Sequence, residues 1–103
     1  MSSCDDKSKK ILNNIINENK IVVMSTEHCP ACVDAKKLLQ NHNFKYRNMD
    51  LSSEENENLF YCLYDMTKSH YVPQIFLNNK YIGGTKELNY LNKSGLLTDL
   101  YNK

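Results

Sequence analysis

Apolar positions along this chain come in short groups whose spacing switches between the helical and the extended period. Between Ser8 and Asn17 they fall at Ile11, Leu12, Ile15 and Ile16, on one face of an amphipathic helix. Ile21 to Met24 is a short, largely β-branched run, suited to a strand buried on both faces. A second helix begins near Pro30, a residue tolerated in a first turn where its missing N–H leaves no bond unmade. Val33, Ala35, Leu38 and Leu39 carry that helix to about His42. Phe44 to Leu51 alternates through Phe44, Tyr46, Met49 and Leu51 and reads as a second strand. Ser52 or Ser53 then caps a third helix, with Glu54, Glu55 and Glu57 in its first turns, where the helix dipole favours acids. Its apolar face is Leu59, Cys62, Leu63 and Met66. Gln74 to Leu77 is a third strand, and Asn78-Asn79 makes a tight turn into Lys80-Tyr81-Ile82. Gly83-Gly84 breaks that strand, and the remainder reads as two helices, Thr85–Leu91 and Ser94–Tyr101.

The order α-β-α-β-α-β-β-α needs a right-handed parallel crossover in its first half and a hairpin in its second. The simplest closure is an α/β domain, a four-stranded mixed sheet flanked by helices on both faces. At 103 residues the chain is expected to be one domain over 1–103, with residues 1–6 a disordered tail. A net charge of +1 gives no nucleic-acid footprint, and no apolar run approaches the ~18 residues of a membrane span. The first residues, Met1 to Lys7, lack the apolar core of a secretion signal, so cytoplasmic residence is the default expectation, and the chain is separately expected to be a monomer.

Composition changes this picture at the cysteines. Of four, only Cys29 and Cys32 are close, in the run Cys29-Pro30-Ala31-Cys32. A single Cys-x-x-Cys beside a β/α pattern reads as redox or metal chemistry. A zinc site would need a full tetrahedral set, and a second ligand pair is missing, so no metal is expected. The pair falls where strand becomes helix, so unpaired N–H groups and the positive end of the dipole favour a thiolate at Cys29. Cys32, one turn on, is the less exposed partner; Cys29 attacks a disulfide and Cys32 resolves the mixed disulfide. Lowering the Cys29 pKa from about 8.5 to about 5.5 raises its thiolate fraction roughly 30-fold at about pH 7. Intrinsic nucleophilicity falls by about 20-fold over the same interval, so the larger benefit is a better leaving group. Cys62, on the apolar face of its helix, reads as a buried structural thiol, and Cys4 as an exposed one in the tail.

Three motifs in order, Cys29-Pro30-Ala31-Cys32, Val72-Pro73, and Gly83-Gly84 followed by Glu87-Leu88, resemble the dithiol glutaredoxins from Lys9 to Leu100. The resemblance implies a thioredoxin fold and glutathione-dependent thiol–disulfide exchange on protein disulfides or glutathione mixed disulfides. It implies a cis Pro73 facing the dithiol and a Val72 backbone that pairs with the incoming substrate. It further implies that Gly84, Thr85 and Glu87 cradle the γ-glutamyl end of glutathione. The family's usual Lys before the first Cys is here Thr26, its Tyr before the second Cys is Ala31, and a Gln of the third helix aligns with Phe60. The usual Thr before Val-Pro is Tyr71, and the basic residue before it is His70. These departures resemble a divergent dithiol branch seen in fungi and imply a weakened glutathione site. His28, Lys68 and His70 are the nearby residues that can carry positive charge. Two alternatives stand beside this reading: a thioredoxin-like electron donor served by a reductase, and a dimer holding an iron–sulfur cluster through two Cys29 thiolates and two glutathiones.

Overall fold

A computed structural model describes residues 4–103. Strand β1 (Ile21–Ser25) is buried along its whole length and is the centre from which the sheet is built. It pairs in parallel with β2 (Arg47–Asp50) and antiparallel with β3 (Gln74–Leu77), which pairs in turn with β4 (Lys80–Gly83). The sheet order β2-β1-β3-β4 is the four-stranded mixed sheet expected from the element pattern. The β3–β4 hairpin turns at Asn78 and Asn79, both with positive φ, which asparagine tolerates better than most side chains.

Because alternate residues of a strand face opposite ways, β1 feeds two cores. Val22 and Met24 face helices α1 (Asp6–Glu18) and α3 (Glu57–Thr67), with Leu12, Ile16, Leu59 and Leu63. Ile21 and Val23 face helices α2 (Pro30–Asn41), α4 (Thr85–Lys93) and α5 (Leu96–Tyr101), with Ala35, Leu39, Leu88 and Leu97.

The structure departs from the sequence expectation at three places. Strand β2 begins at Arg47 rather than Phe44. Asn43 takes a positive φ after α2, and the Phe44 ring stacks between Tyr101 at 3.9 Å and His42 at 4.9 Å. The rings engage this segment in side-chain stacking, and pairing with β1 starts only at Arg47. Ser53 takes the N-cap position of a turn of 3-10 helix (Glu54–Asn56) that precedes α3, without a side-chain cap bond, and the Ser52 hydroxyl instead accepts the Glu27 N–H at 2.7 Å.

The third departure is at the N-terminus. Of the tail expected to be disordered over 1–6, residues 1–3 lie outside the described residues, and Cys4, Asp5 and Asp6 are held. Asp5 caps α1 by accepting the Ser8 N–H at 2.7 Å, and hydrogen bonds from the Ser8 side chain and backbone hold its carboxyl below the ordinary range. Asp6 opens the helix, and Cys4 is joined to Cys62 by a disulfide. Cys4 and Cys62 are therefore not separate thiols. They are 58 positions apart, and only the packing of α1 on α3 brings their Cα atoms to 4.6 Å.

Leu63 is fully buried among β1, α1 and α3. Leu63→Ala is expected to lower the unfolding free energy by about 2–5 kcal/mol, read by denaturant titration. Tyr71→Ala, at an exposed position, should shift it by less than about 0.5 kcal/mol.

Candidate active site around Cys29 and Cys32

The site forms where β1 ends and α2 begins. The chain leaves Ser25, passes Thr26 and Glu27, and turns at His28, whose φ is 57°. The Glu27–Ser52 bond fastens this turn to the segment following β2. Cys29 is then the N-cap of α2, with Pro30 in the first turn. The Cys29 sulfur accepts the Cys32 N–H at 3.1 Å, satisfying a donor that the helix start leaves open. Cys29 and Cys32 are joined by a disulfide, with Cα atoms 5.2 Å apart. Cys29 is half-buried and Cys32 is 1% exposed, so Cys29 is the sulfur that a substrate reaches.

Opposite lies the cis Val72–Pro73 peptide, with the Val72 carbonyl oxygen 4.0 Å from the Cys29 sulfur. The start of α4 closes the third side. A Cβ at Gly84 would stand 3.1 Å from the Pro73 carbonyl oxygen, a distance that few side chains meet, so glycine permits this approach. The Thr85 hydroxyl donates to the Ala31 carbonyl at 2.7 Å, tying α4 directly to the dithiol turn. Glu87 turns back, and its Oε1 accepts the Gly84 N–H at 2.7 Å. Thus Cys29, Cys32, Val72, Pro73, Gly84, Thr85 and Glu87 lie on one connected rim.

Thr26 lines a cavity of about 400 Å³ with His28, Cys29, Val33 and Lys36. Lys36 is a cation that the motif reading missed, because it comes one turn after Cys32 rather than before Cys29. Tyr71 is 85% exposed, so it does not pack in the core. His70 stacks on Tyr64 at 4.0 Å, and with Phe60 it lines a separate cavity of about 410 Å³. Lys68 is exposed at the left-handed end of α3. Among the described residues no group of three or more His, Cys, Asp or Glu is placed to hold a metal ion, and no helix is long and apolar enough to cross a membrane.

Gln74 is the second residue that motif reading missed, although a polar residue opening a fully buried strand was the available signal. Its side chain is 0% exposed. Its Nε2 donates to the carbonyls of Ser69 at 2.7 Å and Tyr71 at 3.0 Å, and its Oε1 accepts the Thr67 hydroxyl at 2.8 Å. The amide thereby braces the segment between α3 and the cis proline and fixes the backbone that faces Cys29.

The architecture and the dithiol at a helix start, facing a cis proline, define a thiol–disulfide oxidoreductase of thioredoxin fold. The glutaredoxin family model matches residues 21–82, and the chain belongs to the glutaredoxin family. It is 35% identical over 94 residues to glutaredoxin-2 of Schizosaccharomyces pombe, covering 90% of this chain and 86% of that one. It is 36% identical over 103 residues to mitochondrial glutaredoxin-2 of Homo sapiens, covering 96% of this chain and 63% of that protein's length. A buckwheat glutaredoxin–glutathione complex superposes with a TM-score of 0.84 at 23% identity, covering 95% of this chain and 94% of that one.

Gln74→Leu is expected to take the amide donor from the Ser69 and Tyr71 carbonyls, while the Thr67 hydroxyl keeps the Leu63 carbonyl, and to lower stability by about 2–3 kcal/mol. Thr67→Val, which leaves both Nε2 bonds in place while removing the hydroxyl's contacts with Gln74 Oε1, the Leu63 carbonyl and the Ser69 N–H, should cost less. Denaturant unfolding of both variants checks the order.

Proposed function

We propose that this protein is a glutathione-linked oxidoreductase that reduces glutathione mixed disulfides and protein disulfides through Cys29 and Cys32. The observation carrying this reading is the Cys29 sulfur at the N-cap of α2, accepting the Cys32 N–H at 3.1 Å beside the Val72 carbonyl. In the reduced protein that N–H stabilises a Cys29 thiolate, which attacks the sulfur of a mixed disulfide. The displaced thiolate leaves and takes a proton, and Cys29 retains the glutathionyl group. A second glutathione thiolate then attacks that sulfur, releasing glutathione disulfide and restoring Cys29. Alternatively the Cys32 thiolate attacks the Cys29 sulfur, releasing glutathione as the leaving thiolate and forming the Cys29–Cys32 disulfide. Two glutathiones reopen that disulfide, so electrons and protons balance on both routes.

Recognition is proposed at the surrounding rim. The Val72 backbone pairs with the extended tripeptide, and Pro73 keeps that edge facing the sulfur. The Thr85 N–H at the start of α4, beside Gly84, suits the γ-glutamyl carboxylate, as helix starts suit anions. Glu87, held at the α4 start by the Gly84 N–H, supplies negative charge for the ammonium. Thr26 borders the groove without adding charge, Lys36 supplies the cation on that side, and the exposed Tyr71 stands next to Val72 in the chain. The superposed buckwheat complex supports a tripeptide of this kind as cosubstrate. Dithiol turnover needs a pool of reduced glutathione, which the cytoplasm supplies in this reading.

The test uses a glutathionylated peptide, with glutathione disulfide production coupled to its reductase. Cys29→Ser should lose at least about a hundredfold in turnover, as expected for a covalent nucleophile. Cys32→Ser should stay within about threefold of wild type, because a second glutathione can replace the resolving thiol. A wild type that ignores glutathione and turns over only with a flavoprotein thioredoxin reductase would contradict the reading.

A further inference from the structure

The Cys4–Cys62 disulfide lies on the far side of the sheet from α2 and takes no part in the chemistry above. Cys4 is half-buried, whereas Cys62 is 3% exposed and packed into the core. Both cysteines line a solvent-facing cavity of about 190 Å³, with Lys9 and Asp65 on its walls. A space of that size is too small for a whole tripeptide and large enough for the thiol of one cysteine.

Opening the bond leaves the contacts that hold α1 in place. Cys4 precedes the N-cap, and the cap bond from the Ser8 N–H to Asp5 does not depend on it. Leu12 and Ile16 hold α1 in the core further along the helix. Closing it needs no backbone movement, since a Cα separation of 4.6 Å is within disulfide reach.

We propose that Cys4 and Cys62 form a second, reversible redox couple in this protein, with Cys4 the sulfur that exchanges with low-molecular-weight thiols. A thiolate entering the cavity attacks the Cys4 sulfur, and the Cys62 thiolate departs and takes a proton. The resulting mixed disulfide sits on Cys4. A second thiolate attacks the incoming group's sulfur, frees Cys4 as a thiolate and yields the oxidised small-molecule disulfide. Two electrons and two protons pass to the protein pair. In the reverse direction a small-molecule disulfide modifies Cys4, and Cys62 closes the bond by expelling the thiol. Burial makes Cys62 a reluctant leaving group, so this couple exchanges more slowly than Cys29–Cys32.

The double variant Cys29→Ser/Cys32→Ser isolates the pair. It is equilibrated in graded mixtures of reduced and oxidised glutathione, quenched in acid, alkylated in denaturant and mapped by mass. The expected result is a disulfide in oxidised buffer and a dithiol in reduced buffer, with any glutathionyl adduct on Cys4. Circular dichroism should show the fold retained in both states, with the thermal midpoint of the dithiol form lower by on the order of 10–20 °C. In wild-type protein, Cys29–Cys32 should open at least about tenfold faster than Cys4–Cys62. A bond that resists reduced glutathione until the chain is unfolded, or an adduct on Cys62, would overturn the proposal. So would loss of the fold when the bond opens in native buffer.

Discussion

The Cys32 N–H that points at the Cys29 sulfur can exist only because a strand gives way to a helix at that residue. A helix start leaves donors without backbone acceptors, and here one of them is spent on sulfur rather than on an ordinary capping oxygen. The same bond that ends the helix neatly in the oxidised protein stabilises negative charge on the sulfur once the disulfide is opened. Everything else at the site acts on this turn. Thr85 ties it to α4, Ser52 ties its approach to the segment after β2, and the cis proline sets a carbonyl across from it.

These ties need rigid supports, and the two-sided core supplies them. β1 is buried on both faces, so its end, which launches the dithiol turn, is fixed by α1 and α3 below and by α2, α4 and α5 above. The opposing wall is held differently. Gln74 brings a polar group into the buried strand and satisfies it fully with Ser69, Tyr71 and Thr67. A buried amide is stabilising only when all its partners are present, which makes the wall a single hydrogen-bonded unit. Gly84 completes the arrangement by letting the start of α4 reach the proline carbonyl.

The element order, the hairpin at Asn78-Asn79 and the dithiol were legible because each rests on local periodicity or on a motif in contiguous sequence. What escaped depended on contacts between distant residues. Phe44 fits an alternating strand pattern, yet its ring finds Tyr101, and the strand starts later. Ser52 fits a cap, yet its hydroxyl serves Glu27. Cys4 and Cys62 look solitary because no local pattern reports that α1 lies across α3. Gln74 was readable as an oddity in an apolar strand, while its role depends on three tertiary bonds. Tyr71, which stands where the family usually has Thr, is mostly exposed.

The account stands on the Cys29 thiolate being stabilised by the start of α2. The direct measurement is the rate of iodoacetamide alkylation of Cys29 against pH, in fully reduced Cys32→Ser protein with Cys4 and Cys62 also replaced by serine. The backbone N–H at position 32 survives the substitution, so the account predicts a half-titration well below the free-cysteine value of about 8.5. A rate that rises only with the titration of an ordinary thiol, near about 8.5, would contradict it.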